Sequence, residues 1–310
     1  MTIRIAIIGF GKIARDSHLP AIAADPRFAL VAVATRSGDP GVGVPWFAEA
    51  GALLDAMRGG LDAVAICTPP GVRYAIACQA LDAGRAVLLE KPPAATLGEI
   101  EDLERRARGC GVCLYAGWHS QHTPGVASAA ALLKDEKVAR LDISWREDVR
   151  KWHPGQDWVW EPGGFGVFDP GINALSIATA ILPMRLFVRA ASLDVPEGRQ
   201  TPIAVRLDFG DGLTANFDWR HNTGEEWTVA VNLADGRSIE LREGGARLLV
   251  DGVEQAVGPH NEYPSIYARF ATLVAARQVE VDREPLRIVA DAMLQATRMT
   301  VAPFAWTGAD

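Results

Sequence analysis

From Ile3 to about Ala116, short and wholly apolar runs alternate with stretches whose apolar positions recur every three or four residues. The runs are IRIAIIGF, ALVAVAT, DAVAICT, AVLLE and VCLYAG; between them lie a helical stretch to Ala24, LLDAMR, YAIACQALDAG and a stretch through Arg108. Strands that alternate with helices pair in parallel, and strands apolar on both faces are covered on both. A doubly wound α/β domain is predicted. After Trp118 the alternation stops: a helical run at Val126 to Leu133 precedes RLDISWREDV, a glycine-rich loop and a long helix from about Asp169 to Ala180. Then LFVRAASLDV, IAVRLDF, LTANFDW, WTVAVNL, RSIELRE and ARLLVD follow one another, with turn signals at Asp211-Gly212, Asp235-Gly236, Gly244-Gly245 and Asp251-Gly252. Consecutive strands joined by such turns predict an α+β domain with a mainly antiparallel open sheet. Two helical stretches, about Tyr263 to Ala276 and Leu286 to Met299, end the pattern.

The 310 residues, 49% hydrophobic and 22% charged, exclude disorder, collagen and coiled coil. A net charge of −7 supplies no excess cation for a phosphate backbone or an anionic bilayer, so neither nucleic acid nor membrane is an expected partner. The nearest approach to a membrane span, Ala174 to Leu182, stops at Pro183 and Arg185. MTIRIAIIGFGK reads as a first strand rather than a signal peptide, and a cytoplasmic protein is expected. Cys67, Cys78, Cys110 and Cys113 suit reduced thiols; the lone CxxC of Cys110 and Cys113 lacks the second pair zinc needs, so no metal is expected.

Gly9-Phe10-Gly11-Lys12-Ile13-Ala14 is a GxGxxA between the first strand and its helix. Gly9 makes the tight turn, Gly11 lets backbone approach a pyrophosphate, and Ala14 allows close helix-to-strand packing. This predicts a dinucleotide-binding Rossmann domain at 1–118, followed by a substrate-binding domain at 119–310 whose C-terminal helices can pack back on the first. Where an NAD enzyme places an acid against the ribose, the second strand ends in Thr35-Arg36-Ser37, and Asp39 lies beyond Gly38. Arg36 can pair with a 2′-phosphate and Ser37 can donate to it, which favours NADP with NAD also accepted.

Thr68-Pro69-Pro70 followed by AIACQALDAGRAVLLEKPP carries Glu90-Lys91-Pro92 at a strand end. With the GxGxxA, these residues resemble the glucose-fructose oxidoreductase and inositol dehydrogenase family over nearly the whole chain. The resemblance implies cofactor contacts at Thr68, Pro69, Glu90 and Lys91, and a substrate and catalytic role for Lys91. EDVRKWHPGQDWVWEPGGFGVFDPGINALS and FDWRH are similar to the family's bacterial aldose 1-dehydrogenase branch, which acts on L-arabinose and D-galactose. Two positions depart from the family pattern: Arg73 replaces a histidine after TPP, and the D-x-x-x-H pair reads Asp169 and Asn173. Residues four apart share one helix face, and an amide can orient a hydroxyl but cannot serve as base.

Trp145, Trp152, Trp158 and Trp160 cluster with Glu147, His153 and Gln156. A sugar offers apolar C–H faces and hydroxyls, which stacking aromatics with polar rims complement. Trp152, beside His153, is the first of the four to assign to it; His119 is expected to contact a hydroxyl and His122 to be structural. The expected chemistry is oxidation of a small neutral pyranose at C1, with Lys91 as base or as the cation facing the developing oxyanion. Asp169 then holds Lys91 or takes the proton, and both assignments stand open. A cyclitol dehydrogenase, a redox glycosidase and a catalytically silent sugar sensor are the alternatives, and a homodimer through the second domain's sheet is the expected assembly.

Overall fold

Residues 2–305 are described in the computed structural model of the chain. β1 (Ile3–Ile8) is a run of Ile, Arg and Ala whose last four residues are buried, the composition of a sheet centre. Past Gly9 the chain enters a helical segment that passes through a π-turn, Ala14–His18, and continues as α1 (Leu19–Ala24). Then come β2 (Phe28–Ala34), β3 (Trp46–Phe47), α2 (Ala50–Ala56), β4 (Ala63–Ile66), α3 (Pro70–Asp82), β5 (Ala86–Glu90), α4 (Leu97–Cys110) and β6 (Leu114–Gly117). These six strands pair in parallel in the order β3-β2-β1-β4-β5-β6. The strand order reverses between β1 and β4, and ligands of such sheets bind outside the carboxyl ends at that switch point.

The second sheet starts after α5 (Val126–Leu133) with β7 (Val138–Arg146), which leads through α6 (Val149–Trp152) and α7 (Phe168–Ile181) to β8 (Ala190–Pro196) and β9 (Ala204–Gly210). β10 (Leu213–Asp218), β11 (Glu226–Leu233), β12 (Ser238–Arg242), β13 (Arg247–Val250) and β14 (Val253–Gln255) complete the run. α8 (Glu262–Ala276) and β15 (Val279–Glu280) then return to the first sheet, where β15 pairs with β6. α9 (Glu284–Gln295) and β16 (Thr297–Val301) return to the second, where β16 pairs with β8. The chain thus forms two compact units: residues up to His119 with Glu262–Arg283, and Ser120–Asn261 with the residues from Glu284 onward.

Alternate residues of each strand in the first unit face opposite layers, as the two-residue period of a strand requires. Ile5, Ile7, Ala65 and Leu88 pack with Tyr263, Ile266, Tyr267 and Phe270 of α8, while Ala6, Ile8, Val64 and Leu89 pack with Leu53, Ala77, Leu81 and Leu103. In the second unit the order is β14-β13-β12-β11-β7-β10-β9-β8-β16, mostly antiparallel, with parallel pairing only at β7/β10 and β8/β16. All four of the expected turns join antiparallel neighbours, and Asp211 and Asp251 take the positive φ that an Asp-Gly turn requires (53° and 49°). Gly171 brings α7 onto β10, because a Cβ there would stand 2.6 Å from the Phe217 ring.

Two expectations about element ends are corrected. The last helix stops at Gln295, and Thr297–Val301, placed in a helix reaching Met299, is a strand. LFVRAASLDV becomes extended only from Ala190, where pairing with β9 and β16 begins. Both differences come from pairing across the sheet, which local periodicity does not carry. Among the described residues no helix is long and apolar enough to cross a membrane, and no cluster of His, Cys, Asp or Glu is placed to hold a metal ion.

Candidate active site

In the first unit, Gly9 has φ +88°, and a Cβ there would come 2.8 Å from the Thr68 nitrogen and 2.9 Å from the Cys67 carbonyl carbon. The turn after β1 is therefore pressed against the turn after β4, where only glycine fits. A Cβ on Gly11 would meet nothing within 4 Å, and Ala14 is fully enclosed. Thr68 Oγ1 is buried with no hydrogen-bond partner. Open space at a helix start, backbone N–H groups without intrahelical partners and an orphaned hydroxyl beside them fit a dinucleotide pyrophosphate. Around this cradle Ile13 is 37% exposed, Pro69 is exposed, and Lys12 pairs with Asp16 one turn on. Arg36 and Ser37 lie exposed after β2, whereas Asp39 accepts from the Gly41 N–H at 2.8 Å within its own loop.

Lys91 is half-buried and follows β5, whose five residues are all buried. Its N–H donates to Glu90 Oε2 at 2.9 Å. Arg73, which stands where the resembling family has histidine, is turned into the protein: it donates to the carbonyls of Thr68, Glu90 and Pro92 and so ties the ends of β4 and β5 together. The replacement makes Arg73 a backbone clamp. His119, just past β6, is half-buried, with Nδ1 2.8 Å from Glu262 Oε2 and its ring stacked on Tyr263 at 6.0 Å. His122 ends the one-turn 3-10 segment His119–His122 and is half-buried.

In the second unit, Glu147 follows β7 and is 3% exposed. Its Oε2 accepts from Trp227 Nε1–H at 2.9 Å. Trp227 sits opposite Trp145 across the β7/β11 pairing, stacks on it at 5.6 Å and meets the Trp152 ring at 5.3 Å. Sequence reasoning missed Trp227, whose signal is the strand register rather than the tryptophan cluster. Trp145 and Trp160 are core residues, Trp158 donates to Gln156 Oε1 at 3.3 Å, and Trp152 stays 37% exposed. His153 Nε2 lies 3.4 Å from Asp169 Oδ2, a contact the sequence did not reveal, and the His153 ring rests against Trp219 at 5.2 Å. Asp169 is buried in the first turn of α7, where the helix end favours a carboxylate, and Asn173 follows one turn later, half-buried. Glu147 and Asp169 are thus enclosed carboxylates, Asp169 beside His153 directly and Glu147 linked to Trp152 only through the Trp227 indole. Trp227→Phe keeps the ring and removes the N–H that Glu147 accepts; the second unit should lose about 1–3 kcal/mol, read as a lower urea midpoint with unchanged slope.

The arrangement defines a class. Residues 3–118 match the GFO_IDH_MocA oxidoreductase family with its NAD-binding Rossmann fold, and the chain belongs to that family. It is an NAD(P)-dependent oxidoreductase acting on CH–OH groups. The chain is 44% identical to the galactose 1-dehydrogenase of Pseudomonas fluorescens over 309 residues, covering 97% of this chain and 98% of that one. The crystal structure of a D-galactose-1-dehydrogenase protein from Rhizobium etli aligns with TM-score 0.92 at 47% identity, covering 98% of both chains. A 3-ketoreductase from Actinomadura kijaniata, in complex with TDP-benzene and NADP, shares the fold with TM-score 0.81 at 22% identity, covering 97% of this chain and 100% of that one.

Proposed function

We propose that the protein is an aldose 1-dehydrogenase that oxidises L-arabinose, D-galactose or D-fucose at C1 to the lactone. The observation that carries this reading is the set Glu147, Trp152, His153, Asp169 and Asn173, which pairs two buried carboxylates with an aromatic surface in one unit. Carboxylates held in place by protein partners recognise hydroxyls by direction, with the Asn173 amide one helical turn from Asp169, and the partly exposed Trp152 indole offers an apolar edge to the C–H side of a pyranose. The full-length similarity to galactose 1-dehydrogenases supports the same substrate class.

Bound NAD(P)+ supplies the hydride acceptor. Oxidation removes a hydride from C1 and a proton from the anomeric hydroxyl, and the protein's own work is on that proton and the oxygen left behind. Lys91 acts there as base or as the stabilising cation. Asn173 orients a hydroxyl, His119 contacts another with its ring fixed by Glu262, and Asp169 is the second candidate for the proton, with His153 at its carboxylate. The test is reduction of NAD(P)+ with a panel of free aldoses, with the product identified as lactone. Activity confined to a cyclitol or a phosphorylated sugar would falsify the aldose reading.

Gly9, Gly11, Lys12, Ile13, Thr68, Pro69, Glu90 and Lys91 form the proposed cofactor contacts, with Arg36 and Ser37 reading the 2′-phosphate. Arg36→Ala should weaken NADP binding by about tenfold, the value of one charge-assisted contact, and leave NAD within twofold. Titration of the apoprotein with each cofactor checks this, and equal losses for both would remove Arg36 from 2′-phosphate recognition.

A further inference from the structure

The turn that carries Lys91 rests on a second buried device besides the Arg73 clamp. Glu90, 5% exposed, ends β5 with its carboxylate inside the first unit. Oε2 accepts from the Lys91 N–H at 2.9 Å, while Oε1 accepts from Tyr263 Oη at 2.6 Å and faces His18 Nε2 at 2.9 Å. The other ring nitrogen of His18, Nδ1, lies 2.8 Å from Tyr267 Oη. His18 is 1% exposed and is the last residue of the π-turn that follows the GxGxxA. Such turns interrupt regular helices and recur where a side chain must be aimed.

Enclosing a carboxylate costs several kcal/mol, and a well-packed apolar side chain of similar size would stabilise the core as well or better. A fully bonded buried pair is therefore evidence of a requirement for orientation. Burial works against the charge on Glu90, yet the His18 N–H and charge, His119 and the Tyr263 hydroxyl hold it well below the usual carboxylate range. Burial also works against a charged His18, and Cys67, Tyr267 and Glu90 around it outweigh that and raise it well above its usual value. The pair stays ionised between these limits. Its contribution to stability falls away in acid, when Glu90 takes a proton, and in alkali, when His18 loses one.

We propose that His18 is a positioning residue for Lys91: by holding Glu90 in one orientation, it fixes the backbone from which the Lys91 side chain departs. The inference rests on the assignment of Lys91 to the anomeric hydroxyl. The groups facing His18 are Glu90 from β5, Tyr263 and Tyr267 from α8 and Cys67 beyond β4, with the His119–Glu262 pair behind Tyr263. Removing the positive charge leaves an uncompensated carboxylate under the turn, and removing the negative charge leaves an uncompensated imidazolium.

The test uses His18→Phe, His18→Gln and Glu90→Gln. His18→Phe should lower kcat by about tenfold while KM for cofactor and sugar stays within threefold. His18→Gln retains a donor for Glu90 without the charge, so it should recover most of that kcat and move the kcat–pH profile to higher pH by about half a unit. Glu90→Gln retains an acceptor for the Lys91 N–H and should move the profile to lower pH. If His18→Phe fails to fold, the opposite shifts of the two glutamine variants carry the test. A lowered melting temperature with wild-type kcat and profile would reduce the pair to a structural role, and shifts in one common direction would overturn the proposal. Undiminished turnover in Lys91→Ala would instead overturn the assignment on which the inference rests.

Discussion

Lys91→Ala should lower kcat by about a hundredfold or more, while cofactor affinity stays within a few fold. Either role available to the amine, accepting the anomeric proton or facing the developing oxyanion, has about that value in other active sites. Cofactor affinity is expected to hold because the cradle is built from backbone and small residues around Gly9, Gly11 and Thr68, and because the Lys91 contact to Glu90 is made by a main-chain N–H that alanine keeps. The measurement is steady-state kcat beside a direct cofactor titration of the same preparation. Near-normal turnover would take Lys91 out of the chemistry and leave Asp169 as the proton acceptor.

D-Glucose should fall behind D-galactose by about a hundredfold or more in kcat/KM, equivalent to about 2.7 kcal/mol. The two sugars differ only at C4, whereas L-arabinose, D-galactose and D-fucose share one configuration at C2, C3 and C4 and differ in what C5 carries. In the proposed site Glu147 is held by the Trp227 indole and Asp169 stands beside His153, so a carboxylate that binds a sugar hydroxyl there would have to leave its own partner to follow an inverted one. A buried polar group deprived of its ligand hydroxyl costs the desolvation it has already undergone. All three sugars of the shared configuration should therefore turn over well. Comparable kcat/KM for glucose and galactose would show that C4 is not read.

The first unit was largely legible because its signals are local. Wholly apolar strands, glycines at a strand end and a lysine at the end of AVLLE each announce themselves within a few residues, and the structure shows the strand–helix alternation and Lys91 just past β5 as expected. Asp169 and Asn173 were legible for the same reason, since four residues make one helical turn. What escaped joins distant parts of the chain. Glu147 and Trp227 are 80 residues apart and meet through strand register, and His18 and Glu90, 72 apart, meet through the sheet. Arg73 read as a departure from a family pattern, and only the positions of three carbonyl oxygens show its use. β15 and β16 are too short or too polar to be seen until a partner strand completes their hydrogen bonds.

The return of α8 to the first sheet has a consequence for how the molecule comes into being. Tyr263, Ile266, Tyr267 and Phe270 cover Ile5, Ile7 and Leu88, and the same helix brings both tyrosine hydroxyls to the Glu90–His18 pair. A ribosome that has released the six parallel strands still has the 144 residues 118–261 to translate before that helix begins. Until then the nascent sheet carries an open apolar face, the kind of surface that draws chaperones or aggregates. The nucleotide-binding half is therefore begun first but cannot be finished until the rest has largely been made, so a protein competent to hold its cofactor is already one that has synthesised most of its second unit.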